Sequence, residues 1–244
     1  EVLKEWNLSS FEKPYNMAVI GANGGIGGAL IQTLSKISPE TNLVAIARSQ
    51  RINADFDGLT IELELENENS IIEAANLVEK KVGSLSAIYV ATGILHENGG
   101  IQPEKSSRSL DPYALDKLFR INVIGPAIVA KHFIPLLRKD SKSVFACLSA
   151  RVGSIKDNHL GGWYAYRASK AALNMIIKTL SIELSRTNQN AICVGLHPGT
   201  VDTALSKPFQ SNVPPEKLFA PEKAANALLS VVDGLKPIDT GQCF

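Results

Sequence analysis

Apolar positions in this chain fall into short runs separated by longer amphipathic stretches. A short apolar run bounded by glycine or proline reads as a buried strand, and a longer run with period 3.6 reads as a helix packed on one face. The pattern predicts strands at Met17–Ile20, Leu43–Ala47, Leu59–Leu65, Ala87–Ala91, Ser143–Leu148 and Ala191–Leu196, with a short last strand near Gly241–Phe244. It predicts helices at Ile26–Ser35, Ser70–Val82, Pro112–Leu137, Trp163–Ser185 and Pro221–Val232. The third helix contains Gly125–Pro126, where the missing proline N–H predicts a bend. Strands alternating with helices argue for βαβ units, so the expected fold is α/β: a doubly wound parallel sheet of about seven strands with helices on both faces.

At 244 residues the chain fits one large domain. Residues 1–16 are polar, lack the apolar core of a signal peptide and read as an N-terminal arm; residues 17–244 read as a single domain. Three long irregular stretches, Ile94–Asp111, Arg151–Gly162 and Val201–Pro215, each follow a strand. Loops after strand C-termini build the site of a parallel sheet, so these are the expected substrate-binding and lid segments.

Apolar residues make up 45% and the net charge is +1, which gives no general attraction to nucleic acid or to an anionic membrane. No apolar run approaches the ~20 residues of a membrane span. Cys147, Cys193 and Cys243 are far apart and the four histidines lack ligand spacing, so the expectation is reduced thiols, no metal and a reducing compartment. That compartment reads as the cytoplasm, or an organelle if the N-terminus is processed.

Two features carry chemistry. Ile20–Gly28 (IGANGGIGG) lies between the first strand and first helix, where glycines let the backbone approach a pyrophosphate and the helix start offers free N–H groups. The same turn is compatible with strand-to-helix packing alone. The second strand runs into Arg48-Ser49, and a guanidinium there matches a ribose 2′-phosphate, which favours NADP over NAD. Further along, Tyr166 and Lys170 stand four apart, one above the other on a helix face. A neighbouring ammonium favours the phenolate and is expected to lower the tyrosine pKa from near ~10. A phenol so tuned exchanges a proton with a carbonyl or alcohol oxygen.

With the glycine turn, Asn122, Ser149, Tyr166 and Lys170 in this order, the chain resembles the short-chain dehydrogenase/reductase family from about Ala18 onward. Leu148–Asn174 resembles its C-factor-like and sniffer-like carbonyl reductase branch. The resemblance implies a Rossmann-type fold and NADP(H) as cofactor. It implies Tyr166 as general acid, Lys170 as ribose ligand and tuning cation, Asn122 in a proton relay and Ser149 as hydrogen-bond donor to the substrate oxygen. For the cofactor it implies Gly21, Asn23, Gly25, Ile26, Gly27, Arg48, Ser49, Glu64, Leu65 and Gly93, then Pro198, Gly199, Val201 and Thr203, together with Tyr166 and Lys170. It also implies a homodimer or homotetramer. Bland readings stand beside these: Asn122 stitching a helix kink, Thr203 capping a helix, Glu64 solvated, and Trp163 and Tyr164 either core or pocket wall.

The chain departs from the family pattern at three places. Ile20 replaces a threonine, Val90-Ala91 replaces two asparagines, and Ala150 stands where the second serine of a pair is usual. Ser149 is assigned the hydroxyl role, with Ser154 the alternative. The expected function is NADP-dependent reduction of an aldehyde or ketone; the alternative is a cofactor-binding regulator of the same fold with little turnover.

Overall fold

The computed structural model describes residues 7–37, 41–49, 51–52, 56–97 and 99–244. Strands β1 (Tyr15–Ile20), β2 (Thr41–Ala47), β3 (Leu59–Glu62), β4 (Ala87–Val90), β5 (Ser143–Leu148) and β6 (Ala191–Leu196) form one sheet in the order β3-β2-β1-β4-β5-β6. Every pairing is parallel. The predicted last strand reduces to a single parallel bridge, Cys243 beside Gly195. The hydrogen bonds Gly195 N to Gln242 O and Phe244 N to Gly195 O continue the ladder outside β6.

Helices α1 (Gly25–Ser35), α2 (Glu68–Lys81), α3 (Pro112–Phe119), α4 (Gly125–Phe133), α5 (Tyr164–Thr187) and α6 (Pro221–Gly234) cover both faces. The strands alternate sides. Met17 and Val19 join Leu30, Ile31 and Leu228 on the α1/α6 face, while Ala18 and Ile20 join Ile71, Phe133 and Leu173 on the α2/α4/α5 face. Burial on both faces is why the strands read as unbroken apolar runs rather than alternating ones. The arm ahead of β1 packs as well: Leu8 and Phe11 are buried, and the Lys142 ammonium stands 4.7 Å from the Phe11 ring centre.

Two predicted elements come out differently. The long third helix is α3, a π-turn at Arg120–Ile124, then α4. Pro126 has no N–H to give the carbonyl one turn back, that of Asn122, so the departure from α-geometry falls ahead of the proline and contains Asn122. Strand β3 ends at Glu62, and Glu64 and Leu65 lie in the following turn, where Ser70 Oγ takes the Glu64 N–H at 2.9 Å. A further parallel pair, β7 (Thr200–Val201) with β8 (Leu218–Phe219), forms a separate two-stranded sheet that draws the two ends of the 201–215 segment together.

Candidate active site

Sheet order reverses between β1 and β4, and the crevice at that switch point is where open α/β sheets hold ligands. On one side stands the glycine turn. Gly21 adopts φ +90°, and the amides of Gly21 and Ala22 both donate to Ile46 O on β2, at 2.8 and 3.1 Å. A Cβ on Gly27 would stand 2.1 Å from the Gly21 carbonyl oxygen, so α1 meets the turn at a distance only glycine permits. Helix α1 opens with no side-chain cap and no acid in its first turn, leaving N–H groups and a positive dipole end suited to an anion. Asn23 Nδ2 donates to Arg51 O at 3.0 Å and lies 3.4 Å from Ser49 Oγ, so these residues stitch the turn to the segment after β2.

A cavity of about 590 Å³ runs from Gly25, Ile26 and Arg48 across Gly93 to Ser149, Tyr166 and Lys170. Pro198, Gly199, Val201 and Thr203 bound its opposite side. Thr203 closes on the start of α1, for a Cβ on Gly25 would stand 2.4 Å from its Cγ2. Thr92 Oγ1, on the wall of the cavity, is buried and has no hydrogen-bond partner, so a bound polar group would satisfy it.

Tyr166 and Lys170 sit at the deep end of this cavity. Tyr166 is 9% exposed, and the Lys170 ammonium stands 5.8 Å from its ring centre. Lys170 Nζ donates to Leu148 O at 2.9 Å, at the end of β5. The expected lowering of the Tyr166 pKa does not appear: burial pushes the phenol up to about 12. The same burial draws Lys170 down to about 8, partly opposed by Cys147. At neutral pH the pair is therefore a neutral phenol beside an ammonium.

Asn122 is fully buried behind this pair. Its side chain clasps the backbone of Ile94 at both ends, accepting from Ile94 N and donating to Ile94 O, each at 2.9 Å, and its Nδ2 also reaches Ser169 Oγ at 3.1 Å. A Cβ on Gly93 would stand 3.3 Å from Asn122 Oδ1 and 3.5 Å from Lys170 Nζ, so Asn122 and Lys170 both close on Gly93.

Ser149 lies beside the pair but its hydroxyl is engaged: it donates to Asn174 Oδ1 at 2.6 Å. Asn174 follows Tyr166 and Lys170 at the next i+4 step on α5, so the three share one helix face. Ala150, next along, packs instead into the apolar cluster of Tyr166. Adjacent residues at a strand end face opposite ways, which is why a one-residue difference separates Ser149 from that cluster. Ser154 Oγ accepts from Asp157 N at 3.3 Å within its own loop and does not line the cavity.

Glu64 is exposed and does not line the cavity; Leu65 is buried against Gly125. Three contributors went unrecognised in the sequence. Phe209 meets the Trp163 ring edge-on at 5.2 Å and His96 at 5.5 Å, and Trp163 meets Tyr166 at 6.2 Å, so four rings form one wall. The third, Glu104, reaches the start of α5 from 61 residues away, and no local pattern announces it. No helix among the described residues is long and apolar enough to cross a membrane, and none of their His, Cys, Asp and Glu side chains forms a group of three suited to a metal.

Comparison with known proteins places this geometry among relatives. A family model described as short chain dehydrogenase matches residues 16–214. C-signal of Myxococcus xanthus is 35% identical over 65% of this chain and 92% of its own length. Among solved structures, the NADPH-bound carbonyl reductase from chicken fatty liver superposes with a TM-score of 0.81 at 22% identity, covering 98% of this chain and 94% of that one. The carbonyl reductase Sniffer of D. melanogaster superposes with a TM-score of 0.80 at 22% identity, covering 95% and 96%. At such identity the structural likeness speaks to the fold.

Proposed function

The chain belongs to the short-chain dehydrogenase family, and from that premise we propose that it is an NADPH-dependent reductase of an aldehyde or ketone. The observation that carries this reading is Tyr166, a protonated phenol at the deep end of the cavity, with an ammonium 5.8 Å from its ring. Relatives in fold include an NADPH-bound carbonyl reductase, which is consistent with the cofactor chosen.

The residues present fit a dinucleotide. The uncapped start of α1, the Gly27 approach and the orphaned Thr92 hydroxyl form a cradle, with Arg48 exposed at its far end. Arg48 in this reading pairs with a 2′-phosphate, and Ser49 and Asn23 hold the arginine's segment against the turn. Gly21, Gly25, Ile26 and Gly27 present backbone to the pyrophosphate. Gly93, Pro198, Gly199, Val201 and Thr203 flank the nicotinamide end, while Glu64 and Leu65, outside the cavity lining, act only through the turn after β3. NADPH, when bound, supplies the hydride.

Tyr166 donates its proton to the carbonyl oxygen as the carbon is reduced. Lys170, charged below about pH 8, stabilises the phenolate left behind. Asn122 fixes Ile94 and the Gly93 backbone so that Lys170 keeps its place. Ser149 acts through Asn174, bracing β5 against α5, while Ala150 turns a methyl toward the Tyr166 cluster. The substrate oxygen then depends on Tyr166 for its hydrogen bond, and the rings of Trp163, Phe209 and His96 suit a flat, apolar carbonyl compound.

The test is NADPH oxidation with a panel of aliphatic and aromatic aldehydes and ketones. Tyr166→Phe is expected to lose roughly 10²–10⁴-fold in turnover, the usual worth of a positioned acid, while still binding NADPH. Turnover at the wild-type rate would refute Tyr166 as the acid, and a wild type inactive on every compound would refute the reductase reading.

A further inference from the structure

Glu104 is a buried carboxylate, 4% exposed, that the proposed chemistry does not use. Both of its oxygens accept from one amide, Ala165 N, at 3.3 and 3.2 Å. Its own carbonyl accepts from Trp163 N at 2.6 Å. No ion pair with a cation holds it among the described residues. Burying a polar carboxyl group without hydrogen-bond partners is costly, and the partner here is an N–H at the start of a helix.

Helix α5 needs that partner. The residue at its N-cap position, Trp163, is in the left-handed region at φ 53° and offers no side-chain cap, and the first turn contains no acid. A helix normally caps itself from adjacent sequence. Here the cap comes from the 94–111 loop, whose other end is gripped at Ile94 by Asn122. Glu104 holds Trp163 and Ala165, the residues on either side of Tyr164, and Ala165 is bonded directly to Tyr166. Trp163 also lies edge-on against the Tyr166 ring.

We propose that Glu104 is a positioning residue, which acts through the first turn of α5 to fix where the Tyr166 phenol points and ties the substrate loop to the proton donor. The inference rests on Tyr166 being that donor. Its consequence is selective: loss of Glu104 displaces the acid but leaves the glycine turn and Arg48 untouched. Turnover falls, and NADPH affinity does not.

The experiment measures kcat, KM for the carbonyl substrate, NADPH affinity and melting temperature for wild type, Glu104→Ala, Glu104→Gln and Tyr166→Phe. Because small displacements of a catalytic group cost up to ~10²-fold, Glu104→Ala is expected to lower kcat by roughly tenfold or more, with NADPH affinity within about threefold of wild type. Glu104→Gln, whose amide oxygen still accepts from Ala165 N, is expected to recover most of kcat. A folded Glu104→Ala with wild-type kcat overturns the proposal. So does a parallel loss of kcat and NADPH affinity, or a Gln variant no better than Ala. Should Glu104→Ala fail to fold, Glu104→Asp, one methylene too short to reach Ala165 N in place, is judged by the same criteria. If Tyr166→Phe turns over normally the donor reading fails; if it is inactive while Glu104→Ala is not, only this inference fails.

Discussion

The two walls of the cavity meet at Tyr166 but are built differently. The wall formed by Gly21–Gly28 and Arg48 is backbone-made. Its parts are neighbours in sequence or on adjacent strands, and its contacts are close approaches such as Gly27 against the Gly21 carbonyl. The wall formed by Trp163, Phe209 and His96 is side-chain-made, from three separate loops that converge only on folding, with Glu104 bracing Trp163 from behind. A wall of backbone tolerates almost no added atom and serves a constant ligand. A wall of loop side chains can be repacked without disturbing the sheet, and it is where substrate choice is expected to reside.

The sharpest way to break this contrast is to add one methyl group to the glycine turn behind the first wall and one to the loop behind the second. Gly27→Ala puts a Cβ 2.1 Å from a carbonyl oxygen and is expected to cost about 3 kcal/mol or more in stability, with NADPH binding lost. Gly100→Ala, in the substrate loop, meets nothing nearer than 3.9 Å and is expected to stay within ~0.5 kcal/mol. Thermal or urea unfolding of the two variants decides the matter, and equal losses would erase the distinction.

Arg48→Asp probes the far end of the cofactor wall. If Arg48 pairs with a 2′-phosphate, removing a charged hydrogen bond worth about 1.5–3 kcal/mol should lower the NADP-over-NAD affinity ratio by roughly 10- to 150-fold. Titration of both cofactors reads this directly, and an unchanged ratio would mean the guanidinium faces solvent. A smaller change in selectivity is expected at the substrate wall. Phe209→Leu removes one edge-on aromatic partner of Trp163, so the preference for aromatic over aliphatic carbonyls should fall by about 2- to 10-fold, from the ~0.5–1.5 kcal/mol such pairs carry. Paired kcat/KM measurements on one compound of each type check it.

The same contrast explains what was legible in the sequence. The six strands of the sheet and most helix positions follow from apolar runs and glycine punctuation, because a parallel sheet buried on both faces leaves that pattern plainly. The Tyr166–Lys170 pair and the glycine turn were readable since each is short and local. The bend near Gly125–Pro126 was readable from the proline, but its form, a π-turn at Arg120–Ile124, was not, because a missing N–H does not specify which turn replaces it. The engagement of Ser149 with Asn174 required knowing which way a strand end faces. The direction of the phenol pKa was hidden for a related reason: spacing reveals the neighbouring cation but not the burial that raises the phenol. Glu104 and Phe209 were invisible, since their partners lie 61 and 46 residues distant.

The central claim, hydride transfer to a carbonyl in this cavity, is tested most directly by isotope. NADPH carrying deuterium at the transferable position of nicotinamide C4 is incubated with the wild-type protein and a reducible aldehyde, and the alcohol is examined by mass spectrometry and NMR. Hydride transfer to a carbonyl held at Tyr166 puts one deuterium on the carbinol carbon, delivered to a single face, and Tyr166→Phe is expected to give almost no product. Alcohol formed without deuterium at that carbon, or formed equally well without Tyr166, would contradict it.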